Sequence, residues 1–296
     1  MSRLWTKEKE IEFFKESMKF ATKEKLFYVT NDNRYLAYWP HNYLGKKSTL
    51  QSRNSLIGNF TEKFSVDLLC NFAAKHDWFT VQGAICEELG LTKQSPADVA
   101  ICKSKDLIQK SQNILIIFEV KMSIVWNWEL KQFGDKEELV CLGDYKSHQG
   151  NPGLLRSDSM LKAIGKSINI RVSNIEAAHI PIIVLGNTPI TESYYKKLDY
   201  LTKAGIIQGF WSVNHSPLDK NDSNLKKTRE LGFIRMDSYS ELEKNLEQLI
   251  SEQREFFSSM KSKKELGKII EIANREVDTE KKAEKFLLLI KKKYES

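Results

Sequence analysis

Apolar positions follow a helical period at both ends of the chain and collect into short β-branched runs in its middle. Over residues 7–22, Ile11, Phe14, Met18 and Ala21 recur three to four apart between Lys and Glu, which predicts an amphipathic first helix. Leu26 to Trp39 is aromatic and β-prone, with Asn31-Asp32-Asn33 as a turn. Apolar positions 57, 60, 64, 68, 69 and 72 predict a helix from about 55 to 76. Gly58 inside it costs roughly 1 kcal/mol against Ala, so it is expected to mark the close approach of another backbone. Trp78 to Cys86 reads as a strand. The runs Asp98-Val99-Ala100-Ile101 and Ile114 to Lys121 read as an antiparallel hairpin. Beyond it, Ser123 to Leu130 is helical or irregular, and 134–153 reads as a long loop. A helix follows from Ser157 with Met160, Leu161, Ile164, Ile168 and Ile170 on its apolar side and Ser157, Asp158 or Ser159 as its cap. Ile180 to Gly186 is a buried strand, Thr191 to Ala204 a helix and Gly205 to Val213 a strand, with Phe233-Ile234-Arg235 at the edge. From Ser240 the chain is helical and charged, its narrow stripes (Leu242, Leu246, Leu249, Ile250, then Leu266, Ile269, Ile270, Ala273) suited to packing on the core or a partner subunit. This order predicts an α/β fold with a mixed central sheet flanked by helices and a helical C-terminal extension. The expected divisions are 1–54, 55–236 and 237–296.

Composition adds direction. The 296 residues, 41% of them hydrophobic, can bury a full core. A net charge of +7 with a pI near 9.0 suits a polyanionic partner. No run is long enough for a membrane span, and the charge in Met1 to Glu8 comes too early for a signal peptide. The four cysteines, Cys70, Cys86, Cys102 and Cys141, lie far apart, which predicts reduced thiols in a cytoplasmic protein. Gly165-Lys166-Ser167 is similar to the tail of a phosphate loop, but Met160 stands where the first glycine belongs and the segment is mid-helix, which excludes a nucleotide site there. His76, His148, His179 and His215 are scattered, without a hydrolase signature around them.

The chemistry concentrates at the hairpin. Glu119 and Lys121 are two apart on one strand, so both side chains leave the same face. Asp98 opens the neighbouring antiparallel strand and can converge with them. One reading is a salt bridge at the lip of a buried strand. The other is metal-assisted phosphodiester hydrolysis, with two carboxylates holding a hard cation such as Mg²⁺ and the lysine aiding the attacking water. Glu62, four residues after Gly58, is either an additional carboxylate for that site or a surface acid paired with Lys63. Tyr35, Tyr38, Trp39 and Tyr43 are a hydrophobic cluster or, interleaved with Lys46, Lys47 and Arg53, part of a nucleic-acid surface. Arg156, Lys162, Lys166 and Arg171 are phosphate contacts or a solvated helix face.

A helix bearing a glutamate, then Pro96-Ala97-Asp98, then Glu119-Val120-Lys121 closing an apolar strand resembles the PD-(D/E)xK nuclease superfamily from about Leu56 to Val213. Ala97 displaces the proline by one from the family pattern. Within that superfamily a chain of this size without a helicase motif resembles a type II restriction endonuclease. The resemblance implies a restriction-endonuclease-like core over 55–236 and site-specific, Mg²⁺-dependent hydrolysis of double-stranded DNA. Asp98, Glu119 and Glu62 would hold the metal, and Lys121 would complete the catalytic set. Lys46, Lys47, Arg53, Asn54, Arg156, Lys162 and Lys166 would contact DNA, with residues 1–54 contributing to that surface. A homodimer, a cognate DNA methyltransferase in a prokaryotic host and no membrane partner are implied by the same resemblance. The alternatives are a structure-specific or repair nuclease of the junction-resolvase kind and a non-catalytic DNA-binding protein.

Overall fold

The computed structural model describes residues 4–45, 47, 50–134, 136–218, 225–251 and 262–291. In chain order these form helices α1 (Lys7–Ser17) and α2 (Lys23–Leu26), strands β1 (Tyr28–Val29) and β2 (Tyr35–Leu36), and the long helix α3 (Gln51–Lys75). Strands β3 (Phe79–Ala84), β4 (Ala97–Cys102), β5 (Ile114–Lys121), β6 (Asn127–Phe133) and β7 (Lys136–Gly143) come next. Helix α4 (Ser157–Ser173), strand β8 (Ile182–Gly186), helix α5 (Tyr195–Lys203) and strands β9 (Gly209–Ser212) and β10 (Phe233–Arg235) complete the central part. Helices α6 (Tyr239–Ser251), α7 (Lys263–Ala273) and α8 (Thr279–Lys291) close the chain.

The fold is α/β, built on a mixed six-stranded sheet in the order β10-β9-β8-β5-β4-β3. β3, β4 and β5 run antiparallel, whereas β8, β9 and β10 continue from β5 in parallel. Nearly every residue of β4, β5, β8 and β9 is buried, as expected of central strands covered on both faces. On one face, Val99, Ile101, Ile116, Phe118 and Val120 meet Ile57, Phe64, Leu68 and Phe72 of α3 and Leu242, Leu246 and Leu249 of α6. On the other, Ala100, Cys102, Ile117 and Ile182 meet Ile170 of α4, while Val184 and Phe210 meet Met160 and Leu198. Residues 1–254 form one compact unit and 255–296 another. α6 belongs to the first unit, and in the second α7 packs on α8. The segment before position 54 is not a separate body, because Leu4, Trp5, Phe13 and Phe14 enter the core used by α3.

In the four-stranded sheet β1-β2-β6-β7, β1 and β2 pair around the turn expected at Asn31-Asp32-Asn33, whereas β6 and β7 depart from the sequence expectation. Ser123 to Leu130 reads as helical or irregular and 134–153 as a loop, yet β6 and β7 form a hairpin across that boundary. Its outer half pairs Lys131 with Glu138 and Gln132 with Glu137, so charges alternate where an apolar run would have announced a strand. Two smaller expectations also change. A Cβ built on Gly58 would meet nothing within 4 Å among the described residues, so none of their backbones approaches there. α4 has Arg156 as its N-cap and no side-chain cap bond, so Ser157, Asp158 and Ser159 do not fill that role.

The two sheets are joined at the segment between β5 and β6, and Glu10 of α1 fastens it. This carboxylate is fully buried and accepts four hydrogen bonds, from Trp5 Nε1 (3.1 Å), Val125 N (2.5 Å), Trp126 N (3.2 Å) and Trp128 Nε1 (2.8 Å). Burial outweighs these bonds and pushes its pKa up to about 7.

Candidate functional site

The β4–β5 ladder begins its paired register at Val99 and Phe118, one residue inside Asp98. Beyond that point Asp98 Oδ2 accepts the hydrogen bond of Val120 N at 2.7 Å, so a side chain takes over where backbone pairing ends. β5 meanwhile stays paired with β8 as far as Lys121 and Gly186. A crevice therefore opens beside the carboxyl end of β5, where the sheet changes from antiparallel to parallel neighbours, a usual place for ligands in open α/β sheets.

Alternation puts Asp98, Glu119 and Lys121 on the face covered by α4. Lys121 Nζ stands among three oxygens: Glu119 Oε1 at 2.5 Å, Val120 O at 3.1 Å and Asp98 Oδ2 at 3.4 Å. Lys166, from the middle of α4, lies 2.9 Å from Asp98 Oδ1 and 2.5 Å from Glu119 Oε2. The Lys166–Glu119 approach is an ion pair without hydrogen-bond geometry, which leaves buried Glu119 Oε2 without a hydrogen-bond partner. Burial, and then the charge of Asp98, raise the Glu119 pKa against the opposing pull of the two lysines. For Lys166, burial disfavours the ammonium, but Asp98 and Glu119 outweigh it and hold the pKa above the usual lysine value. Four charged side chains thus neutralise one another in a place where unpaired charge would be costly.

Glu62 is half-buried and accepts a hydrogen bond from Gln82 Nε2 at 3.0 Å. Burial raises its pKa, Gln82 opposes this, and Asp98 raises it further. It is thus within electrostatic reach of the trio but outside its contacts. Among the described residues no group of three or more His, Cys, Asp or Glu stands together as a metal cluster.

A cleft of about 750 Å³ is lined by Lys121 of the trio, though not by Asp98 or Glu119, with Val120, Tyr28, Trp39, Asn54 and Arg156 among its other residues. Gly153 closes its floor at φ +53, where an added Cβ would lie 3.2 Å from Lys121 O, so the left-handed turn and the close approach both require glycine. Lys47 reaches Gln149 Oε1 at the rim. Arg156 is 61% exposed and Lys162 71% exposed, and both pair with Asp158.

The sequence expectations divide accordingly. Asp98, Glu119 and Lys121 are brought together, Lys47, Asn54, Arg156 and Lys162 are accessible, and Lys46 lies outside the described residues. Arg53 departs from its expected role as a DNA contact. It is buried, donates to Leu26 O and Ala37 O, and lies over the rings of Tyr28 and Tyr38. The aromatic segment packs largely on itself, with Trp39 stacked between Tyr28 and Tyr43 and Tyr38 stacked on His148. Lys166 departs too, turning from the expected phosphate surface into the acidic pair. Its sole signal in the sequence is a lysine mid-helix on a segment that packs beside β5.

No helix among the described residues is long and apolar enough to cross a membrane. Compared with known proteins, the chain matches no family model, no curated protein and no solved structure.

Proposed function

We propose that this protein is a divalent-metal-dependent endonuclease of the PD-(D/E)xK kind, cutting double-stranded DNA at a short recognition sequence as type II restriction enzymes do. One observation carries the reading: Asp98 Oδ2, Glu119 Oε1 and Val120 O surround a single positive point, now held by the ammonium of Lys121, a residue that also lines the cleft. Three oxygens so arranged fit a hard cation that takes oxygen ligands, Mg²⁺ above all. The order α3, antiparallel β3–β5, α4, parallel β8 is compatible with a restriction-endonuclease-like core.

In this mechanism Asp98 and Glu119 would hold the cation, with Val120 O able to serve as a third donor, and Glu62 would add negative charge from the side of Gln82. When bound, Mg²⁺ supplies positive charge to the scissile phosphate and acidifies the attacking water. The Lys121 ammonium would orient the attacking water and offset charge on the pentavalent transition state. Arg156 in the cleft lining, Lys47 beside its lining residue Gln149, and Lys162 beside Asp158 would supply phosphate contacts, and Asn54 a polar contact within the cleft. A homodimer matched to a two-fold DNA site, and a host methyltransferase protecting that site, belong to the same proposal.

The test is digestion of unmethylated phage DNA by the purified protein, with Mg²⁺ or with EDTA, beside Lys121→Ala. Discrete fragments that need Mg²⁺ and disappear in the variant are expected. Cutting confined to branched DNA would replace the restriction reading by a junction-nuclease one, and intact DNA of both kinds would refute nuclease activity on these substrates.

A further inference from the structure

Lys166 gives the acidic pair a second cation, whose role at the site rests on the nuclease reading. Each carboxylate divides its oxygens between the two lysines. Asp98 places Oδ2 on Lys121 and Oδ1 on Lys166, and Glu119 places Oε1 on Lys121 and Oε2 on Lys166. Both lysine side chains are 18% exposed, so solvent screens this square of charge only in part.

Two ammoniums already balance two carboxylates. A divalent cation entering among them brings a charge that has no local counterpart, and Glu62 offsets at most half of it. Lys121 can retreat into the cleft it lines. Lys166 has less freedom, because it rises from a helix whose Ala163, Ser167 and Ile170 are packed beneath it. A phosphodiester carries the negative charge that the crowded site then lacks.

We propose that Lys166 makes metal binding conditional on substrate: its ammonium, held between Asp98 and Glu119, opposes a divalent cation there until a phosphodiester anion arrives to balance the charge. The device limits loading of the free protein with metal and couples the cation to DNA. Repulsion between charges at ion-pair distances is worth about tenfold or more in affinity, even at an effective dielectric near 20.

The experiment is calorimetric titration of Mn²⁺ into the wild-type, Lys166→Gln and Lys166→Arg proteins at one ionic strength. Each is measured with and without dimethyl phosphate, an uncleaved phosphodiester probe. Lys166→Gln is expected to bind Mn²⁺ at least tenfold tighter than wild type without the probe and to gain little from it. Wild type and Lys166→Arg should bind weakly alone and several-fold tighter with it. Equal or weaker Mn²⁺ binding by a folded Lys166→Gln protein overturns the proposal. The wild type alone also tests it, since a Mn²⁺ affinity indifferent to dimethyl phosphate overturns it whether or not the variants fold. A wild type that cuts DNA while showing that indifference leaves the nuclease reading standing, whereas one that binds no Mn²⁺ in either condition sinks both.

Discussion

Replacing Glu10 by glutamine sets burial against hydrogen bonding at one group. Burial favours a neutral Glu10, and four N–H donors favour an ionised one. With burial dominant the folded pKa is about 7, against an ordinary value of 4.5. A carboxyl whose pKa is raised by folding holds its proton more tightly in the folded state. Its contribution is therefore fully present below pH 4.5 and declines until about pH 7. That interval corresponds to about 3 kcal/mol of stability lost on going from acid to neutral pH. Glutamine cannot ionise, but its NH₂ must face either Trp5 and Val125 or Trp126 and Trp128, which leaves donors unpaired at about 1–3 kcal/mol each. Urea unfolding at intervals from pH 4.5 to 8 should show Glu10→Gln well below wild type in acid, with the gap closing as the wild type weakens. Parallel curves, or a gap that widens with pH, would refute the reasoning. Glu10 would then be ionised throughout, and the four donors would outweigh burial.

Gly58→Ala should raise stability by about 0.5–1 kcal/mol, because the new methyl meets nothing and the helix gains propensity; a lower melting temperature would contradict that. Gly153→Ala should cost about 1–3 kcal/mol, through a positive φ and contacts at 2.9 Å to Thr188 Oγ1 and 3.2 Å to Lys121 O, read from the shift in urea midpoint. Arg53→Met should lower stability by about 2–4 kcal/mol by leaving the Leu26 and Ala37 carbonyls without their guanidinium. Under the nuclease proposal the folded variant should bind DNA with near wild-type affinity in a fluorescence-anisotropy titration, and a tenfold loss there would return Arg53 to the proposed DNA contacts.

Periodicity made much of the fold legible in the sequence. The β4–β5 hairpin, α3, β8 and the edge strand β10 all announce themselves by apolar runs whose spacing matches their burial. Convergence of Asp98 with Glu119 and Lys121 is a consequence of alternation along two antiparallel strands. The β6–β7 hairpin is hidden, because its outer residues are charged and its inner part carries Trp128 and Leu130, residues that suit a helix as well. Glu10 sits among lysines and glutamates on what reads as a solvated face, and only the arrival of residues 125–128 makes that face interior. Lys166 and Arg53 depart from their sequence expectations for a common reason. Long side chains can carry a charge away from the direction that helix position suggests, toward oxygens supplied by distant parts of the chain.

The clamp at Glu10 also bears on how the chain assembles. Glu10 and Val125 are 115 positions apart, so their contact closes a very long loop. The entropy of that closure is recovered only after the tryptophan-bearing segment is in place. During synthesis α1 must wait, its carboxylate in water, until β3, β4 and β5, half of the central sheet's strands, and the segment to Trp128 have emerged. Formed after the folding barrier, such a contact would put its pH sensitivity on the unfolding rate and leave the refolding rate nearly level.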